Sequence, residues 1–347
     1  MRNQLRYIIA AVIVIVGVAV IIATQGSSKK TPTASSTSTS TTTIPTKPSD
    51  RIAPLSGLPD PSGVALTRPA LTVKIENDPN SHPQWGVDQA DVVYEEIVNG
   101  GITRLAAIFN QNAPGKIGPV RSVRPTDTSI VWPLGGIFAY SGGAQYAINS
   151  ISTAPVKLVD ESAAGFAMYR DPNRVAPYNL YAITPKLFAF GGKPVPPQPL
   201  FKYRPLGQAA VGAAVTQFTV PFPSIYPITW RWNGSTHSWN RYTNFGGSPL
   251  LDTTGTGAIE SPRNVVVMHI NYVNGLGTMA SYADLTHGGN VNVFTDGKEI
   301  DGTWARPNHD KSKPLVFVDS TGKAIRMTPG QTWVELLDNG PALSVTH

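Results

Sequence analysis

A short apolar run, Leu105 to Phe109, is surrounded by basic side chains, and this is the clearest sign of chemistry in the sequence. The basic residues around it are Arg104, Lys116, Arg121 and Arg124. A strand that carries guanidinium groups at its ends predicts an anion site, because arginine forms paired hydrogen bonds with phosphate or carboxylate. We expect the three arginines to face one cleft, opposite Glu95 or Glu76.

Polar side chains also follow a predicted buried strand, Ala70 to Ile75. They are Glu76, Asn77 and Asp78. Ligands of sheets with alternating helices usually bind at such strand ends, so we include all three in the candidate binding site. Hard cations take carboxylates, so Glu76, Asp78 and Glu95 are the candidate ligands of a magnesium ion. We include this ion only under the alternative that the protein is an enzyme. We otherwise predict no cofactor and no metal.

The segment from Phe166 to Tyr181 places Arg170 and Arg174 among four aromatic side chains. Its prolines exclude a regular helix. Two interpretations stay open. The arginines belong to the ligand site, or they pair with charges of the same surface loop.

The elements around these residues predict an α/β first domain over 51–192, with a mixed sheet and helices. The predicted strands are Ala70–Ile75, Val92–Ile97, Leu105–Phe109 and Ile137–Tyr140, and the predicted helices run from Pro125 to about Trp132 and from Ala144 to Ile151. On the strand Val92–Ile97, Glu95 and Glu96 should point to opposite faces.

A Pro-rich segment, 193–205, predicts an interdomain linker. The rest, 206–347, predicts a β-rich second domain, since short β-branched and aromatic runs alternate with turn signals such as Asp296-Gly297. Its tryptophans either line a sugar-binding surface or form an aromatic core. The tryptophans in question are Trp230, Trp232, Trp239, Trp304 and Trp333.

The N-terminus predicts export. Arg2 and Arg6 precede an unbroken apolar run from Tyr7 to Ala23. That length favours a transmembrane helix over 1–23 as a membrane anchor, with a cleaved signal peptide as the alternative. In either case the arginines stay cytoplasmic and the body is extracytoplasmic. Residues 24–50 are mostly Ser, Thr, Lys and Pro, which predicts a disordered linker.

Charge and cysteine content exclude several classes. The net charge of +6 is concentrated in the first 50 residues, which hold five of the 28 basic side chains and one of the 22 acidic ones. The body is almost neutral and is not predicted to bind nucleic acid. The absence of cysteine excludes lipid attachment to Cys, disulfides and Cys-based catalysis.

Seven stretches resemble the YerB-like proteins, a family whose domain has no known function. They are GVDQADVVYEEIVNGGITRLAAIF, KIGPVRSVRP, AYSGGA and RDPNRVAPYNLY in the first half, and NVVVMHI, DGKEIDGTW and PGQTWVEL in the second. The resemblance implies a two-domain bacterial envelope protein. Its members are often lipoproteins, from which this chain departs by its predicted membrane anchor. The family offers no activity to transfer.

The order of elements also resembles the LytR-CpsA-Psr cell-wall ligases, in which arginines and acidic residues hold a lipid pyrophosphate and Mg²⁺. The positions that would correspond are Asp78, Arg104, Arg121, Arg124, Arg170 and Arg174.

Two function classes therefore remain open, and the sequence does not decide whether the protein is an enzyme. The first is a non-catalytic envelope protein that binds a cell-wall component or an envelope protein. The second is an enzyme of phosphotransfer or ligase type on lipid-pyrophosphate-linked wall precursors. The nucleophile-elbow, P-loop and zinc-helix motifs GxSxG, GxxxxGK[ST] and HExxH do not occur in the sequence.

Overall fold

The computed structural model describes residues 50–223, 227–245 and 248–347. The predicted anchor, 1–23, and the predicted linker, apart from Asp50, lie outside these ranges. Within them, no helix combines the length and the apolar character needed to cross a bilayer.

Strands dominate the first half of the described chain, and its helices are short. The strands are β1 (Leu71–Glu76), β2 (Val92–Ile97), β3 (Thr103–Phe109), β4 (Ile137–Tyr140), β5 (Lys157–Asp160), β6 (Met168–Arg170) and β7 (Leu180–Ala182). The helices are α1 (Val64–Thr67), α2 (Pro125–Val131), α3 (Gln145–Ile151) and α4 (Thr184–Phe188). The predicted strands and helices are confirmed to within two residues.

The second half is built from strands, as its alternating runs predict. They are β8 (Ala213–Ala214), β9 (Gln217–Val220), β10 (Ile228–Asn233), β11 (Ser238–Thr243), β12 (Leu250–Leu251), β13 (Asn264–Ile270), β14 (Tyr272–Val273), β15 (Tyr282–Ala283), β16 (Gly288–Thr295), β17 (Lys298–Ala305), β18 (Val316–Asp319), β19 (Thr332–Asp338) and β20 (Ser344–Thr346). The protein is mostly β, with fewer helical residues than the α/β prediction for the first half suggests.

In the described ranges, eleven strands form one mixed sheet in the order β18-β17-β16-β13-β19-β2-β3-β1-β4-β5, with β8 beside β17. A mixed sheet is thus confirmed. Strand β19 lies parallel to both β13 and β2, with Trp333 opposite Val93. The two predicted domains therefore contribute to a single sheet. A second sheet has the order β12-β11-β10-β9-β20.

Both faces of the central strands of the large sheet are buried, each against its own apolar core. Helices α2 and α3 cover one face, and the β9–β11 sheet and α4 cover the other. Trp230, Trp239 and Trp333 are fully buried in the second core. The hypothesis that the tryptophans form a sugar-binding surface is therefore wrong for these three, and the aromatic core is the correct alternative, because such large apolar areas gain most from burial.

The predicted linker, 193–205, packs along the body. Gly136 N donates to Lys193 O at 2.7 Å, and Leu200 and Phe201 are buried. The ring of Phe201 lies 5.7 Å from that of Phe317. The segment thus contacts both halves of the chain instead of crossing solvent between them.

Candidate anion-binding site

Glu76 and Arg104 meet because β1 and β3 are antiparallel neighbours whose register places them directly opposite each other. Residues that face each other across such a pair share one side of the sheet. Arg104 Nη2 lies 2.9 Å from Glu76 Oε2, and both side chains are buried. The ion pair therefore forms under helices α2 and α3, on the helix-covered face.

Arg121 reaches the same carboxylate from a segment that returns beside β1. Arg121 N donates to Lys74 O, and Glu76 N donates to Pro119 O, both at 2.9 Å. Arg121 Nε then contacts Glu76 Oε2 at 2.5 Å. Burial acts to raise the pKa of Glu76, but Arg104 and Arg121 outweigh it, so this pKa lies below its usual value. The carboxylate is thus ionised and shared by two guanidinium groups.

Gly118 allows the return of this segment. Its φ is +142°, and a Cβ at this position would lie 2.9 Å from Leu180 O. A side chain would therefore displace the chain that carries Arg121.

Arg124 directly precedes helix α2 as its N-cap, and its guanidinium has no carboxylate partner within 4 Å in the part of the chain that the structure describes. Its Nη2 donates to Asn99 Oδ1 at 2.6 Å and its Nη1 to Val123 O at 3.1 Å, while its buried Nε makes no hydrogen bond. Burial lowers the pKa of Arg124 and the positive charge of Arg104 lowers it further, whereas the charges of Glu96, Asp127 and Glu76 act to raise it. The side chain is a half-buried cation beside a like charge.

A second ion-pair group completes this face, and the sequence analysis missed two of its members. Lys74 is fully buried and contacts Glu96 and, at 2.8 Å, Asp127 Oδ1. Burial raises the pKa of Asp127 to about 6, with Lys74 lowering it and Glu96 raising it. Lys74 could have been found from β1 itself, where Thr72, Lys74 and Glu76 alternate with apolar residues and so share one face.

Together these residues form what we call the Glu76 cluster. Its members are Lys74, Glu76, Glu96, Arg104, Arg121, Arg124 and Asp127. It contains four cations and three carboxyl groups, one of which has a pKa of about 6. The cluster therefore carries an excess of positive charge, which favours an anion.

Glu95 lies on the opposite face of the sheet from this cluster, so the expectation that it faces the arginines is wrong, whereas Glu76 does so. It accepts hydrogen bonds from Asn77 Nδ2 at 3.0 Å and Trp333 Nε1 at 3.2 Å, and it pairs with Arg241 at 2.9 Å. The reason is the alternation along β2, which points Glu95 and Glu96 in opposite directions as predicted.

The carboxylates proposed for magnesium consequently do not converge. Glu76 and Glu95 are separated by the sheet, and Asp78 turns to cap the following turn, accepting from Asn80 N at 2.9 Å. Within the described ranges, no three His, Asp or Glu side chains lie close enough together to hold a metal ion.

Among the described residues, neither Arg170 nor Arg174 forms an ion pair with the Glu76 carboxylate. Exposed Arg170 pairs at 2.7 Å with Glu161, which lies outside the Phe166–Tyr181 segment, so its ion pair is not made within that loop. Arg174 donates to the carbonyl oxygens of Asn80 and Ser81, each at 3.0 Å. Its contacts hold the turn after β1 in place.

On the opposite face of the sheet, Glu95 meets three residues of the second half, Arg241, Asp252 and Glu335. We call these four residues the Glu95 cluster. Arg241 is fully buried between Glu95 and Asp252. Burial raises the pKa of Glu335 well above its usual value, and nearby Glu95 raises it further. Sequence gave no local signal for Arg241, because its partner Glu95 lies 146 positions away.

The comparisons with known proteins agree with this architecture. "Protein of unknown function (DUF3048) N-terminal domain" matches residues 55–193, and the DUF3048 C-terminal domain matches residues 218–334. A Bacillus subtilis (strain 168) protein named "Putative lipoprotein YerB" is 25% identical over 309 residues, which cover 85% of this chain and 88% of that protein. The crystal structure of the Bacillus subtilis YerB protein has the same fold, with a TM-score of 0.73 at 22% identity over 85% of this chain and 99% of that one. The YerB-like resemblance is thus confirmed, and the chain belongs to the DUF3048 family.

Proposed function

We propose that this chain is an exported protein of the bacterial cell envelope that binds an anionic cell-wall component, or an anionic envelope partner, at the Glu76 cluster. The relative named a lipoprotein supports an envelope location. This chain has no cysteine to lipidate, so the apolar run Tyr7 to Ala23 is its proposed means of membrane attachment, as a single-pass anchor.

The observation that carries the proposal is the Arg124 guanidinium. It is half buried, it lies near Arg104, and none of the described carboxylates pairs with it. The charges of Glu96, Asp127 and Glu76 act on Arg124 without forming an ion pair with it, and a phosphate or carboxylate of a ligand would supply that direct contact. Arg121 lies at the same surface and keeps about a quarter of its side chain exposed, at 27%. Both guanidinium groups interact with the Glu76 carboxylate, and we propose that they bind one anion together.

No specific observation favours the ligase-type enzyme. The resemblance to the LytR-CpsA-Psr ligases groups Asp78, Arg170 and Arg174 with the other arginines, but these three contact Asn80 and Glu161 and do not pair with Glu76. We therefore carry forward ligand binding alone.

The test is calorimetric titration of the body, residues 51–347, with pyrophosphate, comparing wild type with Arg124→Gln. Losing one charge-assisted contact costs about 1.5–3 kcal/mol, so we expect affinity to fall about 10- to 150-fold. Arg170→Gln is the matched control, because it removes the same charge from an exposed pair. Absence of pyrophosphate binding to wild type, or equal losses in both variants, would refute the proposed anion site.

A second arm addresses the ligand source. The body is mixed with isolated cell walls and sedimented, before and after chemical removal of wall phosphate polymers. We expect wall binding that depends on those polymers and on Arg124. Binding that persists in Arg124→Gln would place the wall contact elsewhere on the body.

A further inference from the structure

A polar pocket of about 470 Å³ opens beside helices α2 and α3. Its walls come from these helices, from the connection between β15 and β16, and from the turn before β18. The lining residues are Pro125, Thr128, Ser129, Ser150, Tyr282, Asp284, Thr286, His287 and Lys311. The volume is within the range of small-molecule sites. It shares no residue with the Glu76 cluster, so we call it the Lys311 pocket.

The lining is rich in hydroxyl groups, which come from Thr128, Ser129, Ser150, Tyr282 and Thr286. Thr128 Oγ1 and Ser150 Oγ lie 2.8 Å apart. The hydroxyls of Ser129 and Tyr282 make no hydrogen bond within the described ranges. Because a hydroxyl both donates and accepts, this surface matches a ligand that itself carries many hydroxyl groups.

The negative charge of the pocket is already satisfied. Asp284 accepts from Thr286 N at 2.9 Å and from Thr286 Oγ1 at 2.6 Å, and it contacts His287 Nδ1 at 2.6 Å. Burial acts to raise the pKa of Asp284, but these contacts outweigh it and lower the pKa. The carboxylate is therefore ionised and held within its own turn.

The positive charge of Lys311 is not matched in the same way. Its ammonium lies 5.5 Å from the centre of the Trp132 ring, and no carboxylate of the described chain pairs with it. A cation over an aromatic ring stays free to bind an anion from its open side. The pocket thus combines many hydroxyls with one available cation.

We propose that the Lys311 pocket binds a sugar unit that carries an acidic substituent, with the ring hydroxyls on Thr128, Ser150 and Tyr282 and the acidic group on Lys311. The proposal does not depend on the anion site at the Glu76 cluster.

The test uses two sugars that differ in one acidic group. N-acetylmuramic acid and N-acetylglucosamine are titrated into the isotopically labelled body, residues 51–347, and binding is followed by NMR. We expect N-acetylmuramic acid to bind at least about tenfold more tightly, because only it can form a charge-assisted contact with Lys311.

Substitutions test whether Lys311 binds the acidic group of the sugar. Lys311→Met should reduce the affinity for N-acetylmuramic acid to that for N-acetylglucosamine, which should be unchanged. Lys313→Met is the matched control, because it removes the same charge two positions away, outside the pocket lining. Thr128→Val should weaken both sugars, and thermal unfolding of each variant verifies folding. Equal affinity of wild type for the two sugars, no binding of either, or full binding by Lys311→Met would overturn the proposal. Pyrophosphate titration of the same samples reports on the Glu76 cluster separately.

Discussion

Glu76 and Arg104 lie directly opposite each other on β1 and β3, with Arg104 Nη2 2.9 Å from Glu76 Oε2 and both side chains buried. A buried pair of this kind has a small net effect on stability when complete, since desolvation offsets the attraction. Removing one member of the pair is costly, because the other charge then stays buried without an ionic partner or water. Glu76 is the more critical partner, as it also compensates Arg121.

Glu76→Gln should therefore destabilise the body strongly. It leaves Arg104 and Arg121 without a carboxylate, and we expect a loss of about 3–5 kcal/mol in the free energy of unfolding, measured by urea denaturation. Glu161→Gln serves as the comparison, because it breaks the exposed pair with Arg170 and should cost about 1 kcal/mol or less. Similar losses in the two variants would mean that Glu76 is not the counter-charge of a buried site.

Anion binding at the Glu76 cluster should strengthen as the pH falls. The pKa of Asp127 is raised to about 6 by burial, so lowering the pH from 7.5 to 5 neutralises this carboxyl and increases the positive charge of the cluster. Sulfate is the suitable probe, since phosphate itself gains a proton near pH 6. We expect roughly fivefold tighter sulfate binding at pH 5, by the added electrostatic attraction.

Asp127→Asn tests whether Asp127 causes the pH dependence of sulfate binding. It should bind sulfate with nearly the same affinity at both pH values, close to the affinity of wild type at pH 5. If the variant keeps the full pH dependence, another group controls the charge of the cluster.

The sequence predicted the elements well because their signals are local. The strand at Leu105–Phe109 and the helix that starts at Pro125 could be predicted from neighbouring residues alone. The sequence also predicted that Arg104, Arg121 and Arg124 would face one cleft opposite an acid, but left Glu76 and Glu95 as alternatives. The choice depends on which face each side chain takes, and that is fixed by strand register.

The partners that come from distant parts of the chain could not be predicted. Asp127 reaches Lys74 because α2 packs on the sheet, and Arg241 reaches Glu95 because the second sheet packs on the other face. Neither packing arrangement has a signature in local composition or spacing. A buried lysine in the middle of a strand was the one available hint that such a partner exists.

Glu335→Gln should stabilise the protein in a pH-dependent manner. The pKa of Glu335 is raised by burial and by Glu95. Above the unfolded-state pKa of about 4.3, the unfolded chain loses this proton while the folded chain keeps it, so stability falls as the pH rises towards the folded-state value. Glutamine avoids this loss and still accepts from Trp230 Nε1, which lies 2.9 Å from Glu335 Oε1.

We expect the free energy of unfolding of Glu335→Gln to exceed that of wild type at pH 7. At pH 4 the two proteins should differ little. Urea denaturation at both pH values measures the difference, with Glu161→Gln as the exposed control. A gain that is equal at both pH values would show that Glu335 is ionised in the folded protein.

The two halves of the body should not fold separately, although each matches its own family domain. Strand β19 lies between β13 of its own half and β2 of the other, with seven residues of β19 opposite β13 and five opposite β2. Expressed alone, 51–192 would expose the edge of β2 and 206–347 the edge of β19. The 51–192 piece would also leave Glu95 without its ion-pair partner Arg241, which in the other piece keeps Asp252.

We therefore expect neither piece to show a cooperative thermal transition by circular dichroism. Mixed and refolded together, they should form a one-to-one complex in gel filtration that regains such a transition. A matched control is the pair carrying Arg241→Met, which should reassemble less well because Glu95 is then buried without its partner. A cooperative transition in either isolated piece would contradict this prediction, since it would show that the shared sheet is not needed for folding.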